Sequence, residues 1–153
     1  MQGLIIVASL GMLLYLLLEY KKGVKKEMLI AFLISLAWVS LSGIYGYRDD
    51  SYILFGINLF PLVAWTAGLV LLKEIYEKWF KRKKDGFRNL AILYVLSLIV
   101  IEYIGYNWLC IQLSTNYEGL LGINALHMPW FGKLYYLTIG PAYIWLTDYW
   151  RVK

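Results

Sequence analysis

The stretch NLAILYVLSLIVIEYIGYNWLCI, residues 89–111, decides the fold class. It is apolar over the roughly 20 residues that an α-helix needs to cross the hydrocarbon core of a bilayer. Its one charged side chain is Glu102, and an ionisable residue in such a segment almost always faces the interior of a helical bundle. The stretch therefore predicts a membrane-spanning helix with an inward-facing carboxyl group.

The rest of the chain has the same character. It is 61% hydrophobic and 16% charged, with a mean hydropathy of +0.59, whereas soluble domains are about 45–50% apolar and about 25% charged. We therefore predict an all-α integral membrane bundle, a single transmembrane domain over residues 1–153. The five predicted spans are residues 2–20, 27–46, 53–75, 89–111 and 133–150.

The basic residues predict how these spans are oriented. Of the 15 Lys and Arg residues, all but Arg48 and Lys133 lie between spans one and two, between spans three and four, or at the C-terminus, counting the flanks of these loops. Basic loops stay on the cytoplasmic side. The pattern predicts an extracytoplasmic N-terminus and a cytoplasmic C-terminus, and it explains the net charge of +5 without a nucleic-acid partner. Glu74 and Glu77 lie beside cytoplasmic lysines and are expected to form surface pairs.

The connection between spans four and five, STNYEGLLGINALHMPWFGK, is too apolar for an ordinary hydrophilic loop. Its glycines and Pro129 break regular structure. Non-helical backbone at membrane depth needs protein or water around it. We therefore predict an interfacial or re-entrant segment that covers the extracytoplasmic end of the bundle as a lid.

Polar and aromatic residues gather at that same end. Tyr106 lies four residues after Glu102, on the same helical face, and Pro61 and Gly140–Pro141 predict bends that open space. Aromatic walls with a few polar groups are typical of small-molecule sites. The other half of the bundle is mostly Leu, Ile, Val and Ala. The candidate catalytic residues are Glu102 and His127, and the candidate ligand-binding residues are Asn58, Trp65, Tyr103, Tyr106, Asn107, Trp130, Tyr135 and Tyr136.

Structural roles compete with these assignments. Glu102 could pair with Arg48 or hydrogen-bond a tyrosine of another helix, and His127 could be a structural hydrogen-bonding residue. Asn58 and Asn107 could form interhelical hydrogen bonds. Ala64 with Gly68 could allow close helix packing or dimerisation.

Several functional classes are excluded by what the sequence lacks. One cysteine and one histidine cannot form an internal disulfide, a Cys cluster or a multi-His metal site. The HExxH, GxSxG and phosphate-loop motifs are missing as well. We therefore expect neither a metal nor another cofactor.

Three functional classes remain. The first is binding or conversion of a hydrophobic molecule, such as a lipid, isoprenoid or sterol-like compound. In an enzyme of this class, Glu102 in an apolar pocket could act as general acid. The second is a structural or assembly subunit of a membrane complex, and the third is a proton-coupled transporter component, which the apolar cytoplasmic half disfavours. A homo-oligomer or a membrane-protein partner is compatible with all three, and the sequence leaves enzymatic activity open.

Overall fold

The computed structural model describes residues 1–19, 23–40, 52–112 and 117–151, with the side chains of residues 149–151 excepted. The described residues form five α-helices, which confirms the predicted helical character. They are α1 Gln2–Leu18, α2 Val24–Ser40, α3 Leu59–Ile75, α4 Gly86–Asn107 and α5 Trp130–Arg151. A two-stranded hairpin (β1 Ile53–Leu54, β2 Ile57–Asn58), a π-helical turn (Tyr76–Phe80) and a 3₁₀ turn (Leu120–Gly122) complete the regular structure.

Two helical segments in this part of the chain are long and apolar enough to cross a membrane. They are Leu59–Phe80 and Gly86–Asn107, each of 22 residues. The helical part of the prediction is confirmed, but five membrane spans are not supported. Helices α1 and α2 have 17 residues each, about 26 Å against a hydrocarbon core of about 30 Å. The predicted ends of these two spans, residue 20 and residues 41–46, lie outside the described residues.

The third predicted span begins later than expected, because its first residues form the β-hairpin. Phe55 and Gly56 both have positive φ angles, 50° and 77°, as a tight primed turn between two strands requires. The side chain of Asn58 then accepts a hydrogen bond from the Phe60 N–H at 3.0 Å and caps α3. Pro61 consequently lies in the first turn, where its missing N–H costs nothing, and the predicted mid-helix bend there is wrong.

Helix α3 is the centre of the bundle. It packs against α2 and α1, and to a smaller extent against α5. Helix α4 rests mainly on α5, and only 6% of its most apolar stretch is buried. The π-helical turn and the turn at residues 81–85 join α3 to α4, yet the two helices make little direct contact along their length.

The contact between α4 and α5 depends on Gly140. A Cβ atom at Gly140 would lie 2.6–2.8 Å from ring atoms of Tyr94, and the Tyr94 hydroxyl donates a hydrogen bond to the Tyr136 carbonyl at 2.6 Å. Helix α5 continues through Pro141. The Gly-Pro pair was predicted to open space, but here the glycine allows two helices to pack closely.

Buried charges occur at the end of the bundle near the 81–85 turn. Lys73 on α3 is fully buried and forms ion pairs with Asp148 on α5 and, at 3.5 Å, with Glu77. Lys81 also reaches Asp148, at 3.4 Å. The expected surface pairing of Glu77 is therefore only half right, because its partner Lys73 is a core residue. Glu27 on α2 is buried as well, so this half is more polar than the sequence predicts.

Candidate functional site

An elongated cavity of about 390 Å³ lies between α3 and α4, and we call it the groove. Its volume falls within the range of small-molecule sites, about 300–1,000 Å³. Helix α4 lines it from Leu90 to Tyr106, with residues three or four positions apart that share one helical face. At 1.5 Å per residue this face is about 24 Å long. Its α4 residues are Leu90, Leu93, Tyr94, Ser97, Leu98, Ile101, Glu102, Gly105 and Tyr106.

Small residues keep the groove open. Ala64, Gly68 and Gly105 line it, and no neighbouring atom lies within 4 Å of a Cβ built at either glycine. Gly68 therefore makes no close helix contact within the chain, and it leaves room between α3 and α4 instead. Dimerisation through Ala64 and Gly68 stays a prediction.

The two ends of the groove differ in chemistry. Near the 81–85 turn its walls are apolar, formed by Leu72, Ile75, Leu90 and Leu93. At the other end the lining contains Trp65, Glu102, Tyr106, His127 and Tyr136. The groove thus has the polarity of an amphiphile, with one long apolar part and one polar end.

The Glu102 carboxyl group is half-buried at the polar end. It forms no hydrogen bond or ion pair with any residue that the structure describes, and the suggested partner Arg48 lies outside those residues. Beside it, the Trp65 indole N–H donates to the Tyr136 hydroxyl oxygen at 3.2 Å. The rings of Trp65 and Tyr136 meet edge to face, with centroids 4.5 Å apart.

Residues 117–129, which we call the cap, close the polar end. The ring of His127 stacks on Tyr106 with centroids 4.2 Å apart. Its Nδ1 atom lies 2.7 Å from the Tyr117 carbonyl oxygen, and its Nε2 atom lies 2.8 Å from Oδ1 of Asn124. Both ring nitrogens are therefore engaged within the cap, so His127 could contact a ligand through nitrogen only by giving up one of these partners.

An amide pair attaches the cap to α4. The Asn124 side-chain amide donates to Oδ1 of Asn107, and the Asn107 amide donates to the carbonyl oxygens of Tyr103 and Asn124 at 2.8 and 3.2 Å. The segment predicted as a lid does lie over the end of the bundle. Asn107 holds it there, so its role is structural, although its partner is the cap and not a second helix as expected.

Half of the predicted site residues line the groove. Both candidate catalytic residues, Glu102 and His127, do so, as do Trp65, Tyr106 and Tyr136 among the candidate ligand-binding residues. Helical geometry explains why Tyr106 lines the groove together with Glu102, since it follows Glu102 by four residues.

The other five predicted ligand-binding residues lie elsewhere. Asn58 caps α3 and Asn107 holds the cap. Tyr103 and Trp130 are exposed. Tyr103 follows Glu102 by one residue, so its side chain lies on a different face of α4, away from the groove. Tyr135 stacks on Trp38, with centroids 4.2 Å apart, and its hydroxyl donates to the Ile34 carbonyl at 3.1 Å.

Sequence reasoning missed several lining residues, including Tyr94, Ser97, Gly105 and Met128. A signal for Tyr94 was present, because it lies eight residues before Glu102 and so shares its helical face. Met128 carried no such signal, since it belongs to the irregular cap.

The chain matches no known protein family, no curated protein and no solved structure. Among residues 1–19, 23–40, 52–112 and 117–151, no group of three His, Cys, Asp or Glu side chains could hold a metal ion. The chemistry of the groove therefore follows from its lining. Apolar walls can bind a hydrocarbon part, and a carboxyl group among aromatic rings can bind or protonate a polar group.

Proposed function

We propose that the protein is an integral membrane protein that binds a hydrophobic molecule in the groove, of the lipid, isoprenoid or sterol-like class. Residence in the membrane is supported by the apolar segments Leu59–Phe80 and Gly86–Asn107. It is also supported by the outer surface of α4, where Ile92, Leu96 and Val100 are more than half exposed. Soluble monomers rarely expose such continuous apolar surface, whereas lipid tails solvate it well.

In this proposal all five helices belong to the membrane domain. The exposed leucines and valine of α1, Leu4, Val7, Leu14 and Leu18, suit contact with lipid in the same way. The distribution of basic residues supports an orientation with the 81–85 turn in the cytoplasm and the cap on the extracytoplasmic side. The polar end of the groove then faces the outer leaflet.

The observation that carries the proposal is the polarity of the groove along its length. From Leu90 to Glu102 the groove runs for about 18 Å, and it ends at a carboxyl group and three aromatic rings, which complements a molecule with a hydrocarbon part and one polar end. Because α4 is so little buried, such a molecule could enter from the bilayer between α3 and α4 without unfolding the bundle.

Filling the groove tests the proposal. Gly68→Leu and Gly105→Leu each place a side chain in open space within the groove. We expect the purified variants to stay folded and to lose most of the co-purifying hydrophobic molecule, measured by mass spectrometry of the organic extract. Gly11→Leu is the matched control, because Gly11 also has open space around it but lies on α1 away from the groove.

Unchanged ligand content in both groove variants would contradict the proposal. An equal loss of ligand in Gly11→Leu would also contradict the proposal. It would show that any added leucine lowers the ligand content, whether or not it lies in the groove. Helix propensity favours folding in all three variants, since glycine is about 0.8–1.0 kcal/mol worse than alanine in a helix interior and leucine is close to alanine.

A proton-coupled transporter component is the second candidate, and the buried charges favour it. Lys73 and Asp148 supply ionisable groups in the half of the bundle where the sequence shows no polar path. Proton carriers place such groups inside the membrane. Proton-dependent flux into liposomes that disappears in Asp148→Asn would support this candidate. A lack of flux together with retained ligand would favour the first.

A further inference from the structure

The charges around the polar end of the groove point to the kind of head group that it accepts. Glu102 is the one acidic residue in the lining, and no lysine or arginine is found there among the described residues. We infer that the groove binds an amphiphile with a cationic head group, a long-chain amine, whose nitrogen lies against the Glu102 carboxyl group. This inference rests on the proposed function and names the substrate class of the same site.

Several other polar side chains of the lining already have hydrogen-bond partners. The indole N–H of Trp65 is directed to the Tyr136 hydroxyl, and the Tyr94 hydroxyl is directed to the Tyr136 carbonyl. Both nitrogens of His127 have partners in the cap. Glu102 is the one group in the described lining that can carry a negative charge, and a carboxylate removed from water needs a counter-charge.

The aromatic rings strengthen the preference for a cation. Trp65, Tyr106 and Tyr136 line the same end of the groove as Glu102. The faces of such rings attract ammonium groups, and aromatic cages recognise quaternary ammonium ligands in this way. A fatty acid or a phosphate head group would instead meet the Glu102 charge with no lining cation to offset it.

The shape of the groove favours a slender molecule. Its volume, about 390 Å³, lies near the lower end of the range for ligand sites, and it is spread along about 24 Å of helix. One alkyl chain fits such a shape better than the fused rings of a sterol. Its end would lie between Ile75 and Leu90, where the lining is entirely apolar.

Three probes with the same chain separate the head groups: hexadecylamine, hexadecanol and palmitate. We expect the purified full-length protein to bind hexadecylamine at least about tenfold more tightly than either of the others, as one charge-assisted contact provides. Glu102→Gln should remove this preference while it keeps the affinity for hexadecanol. Glu118→Gln is the matched control, because Glu118 is exposed at the same end and does not line the groove.

Each outcome decides a different claim. Tighter binding of palmitate or hexadecanol by the wild-type protein, abolished by Gly68→Leu, would overturn the cationic head group and leave the groove as a lipid site. Failure of all three probes to bind would overturn the proposed function itself. Retention of the preference in Glu102→Gln would overturn the role of Glu102, and the wild-type comparison decides the head group even if that variant does not fold.

Discussion

Gly140→Ala is expected to loosen α4 from the rest of the bundle. The added Cβ would lie 2.6, 2.7 and 2.8 Å from Cε2, Cζ and Cδ2 of Tyr94, closer than carbon atoms can pack. The ring cannot retreat without losing the hydrogen bond from its hydroxyl to the Tyr136 carbonyl. Because α5 is the main helix that supports α4, the clash falls on the contact that keeps α4 in place.

The size of the effect follows from three contributions. Overpacking of a filled site costs about 1–3 kcal/mol, and an interhelical hydrogen bond in a membrane protein contributes about 0.6 kcal/mol. Replacing glycine by alanine in a helix interior stabilises the helix by about 0.8–1.0 kcal/mol. The free energy of unfolding should therefore fall by about 0.6–2.8 kcal/mol.

Chemical denaturation in detergent micelles measures this change. Gly11→Ala is the control, because a Cβ there meets nothing within 4 Å and only the propensity gain should remain. Tyr94→Phe keeps the ring and removes the hydroxyl, so it reports the hydrogen bond alone. If Gly140→Ala proves as stable as Gly11→Ala, the Tyr94 ring does not lie against Gly140 and the account of the α4–α5 contact is refuted.

Two further predictions concern the ends of the bundle. Asp148→Asn should lower the free energy of unfolding by about 1.5–3 kcal/mol, because the fully buried Lys73 loses one charged partner and keeps Glu77 at 3.5 Å. Lys81→Gln, at a 41% exposed side chain, should cost under about 1 kcal/mol. Similar losses in the two variants, compared by denaturation, would argue against a buried pair. At the other end, a double-mutant cycle of Asn107→Ala and Asn124→Ala should give a coupling energy of about 1 kcal/mol, and additive effects would show that these amides do not join the cap to α4.

The helices were predictable because the pattern that makes them is local. An apolar run of helical length specifies a helix wherever it packs, and the i to i+4 spacing of Glu102 and Tyr106 placed both on one face of α4 before any neighbour was known. The tight turn at Phe55 and Gly56 is local too. Because it lies within an apolar segment, the hydrophobic pattern predicts a membrane span there.

Contacts between distant residues were not predictable in the same way. Lys73 and Asp148 are 75 positions apart, and composition alone places both at the solvated ends of spans. The sequence predicts Trp130, Tyr103 and Tyr135 as site residues because they are aromatic and belong to the extracytoplasmic end of the bundle. The rotation of each helix about its own axis decides which aromatic residues enter the groove, and that rotation is set by packing against the neighbouring helices.

The amino-acid sequence by itself determined that the chain is helical, that its helices are apolar, and that Glu102 shares a helical face with Tyr106, since all of these depend on residues within a few turns of each other. Only the tertiary structure decided that α3 and α4 stand apart, that Gly140 draws α4 onto α5, and that the cap closes one end through Asn107. The physical reason is that a groove is the space left between side chains that pack from different helices, and no single segment of the chain contains it.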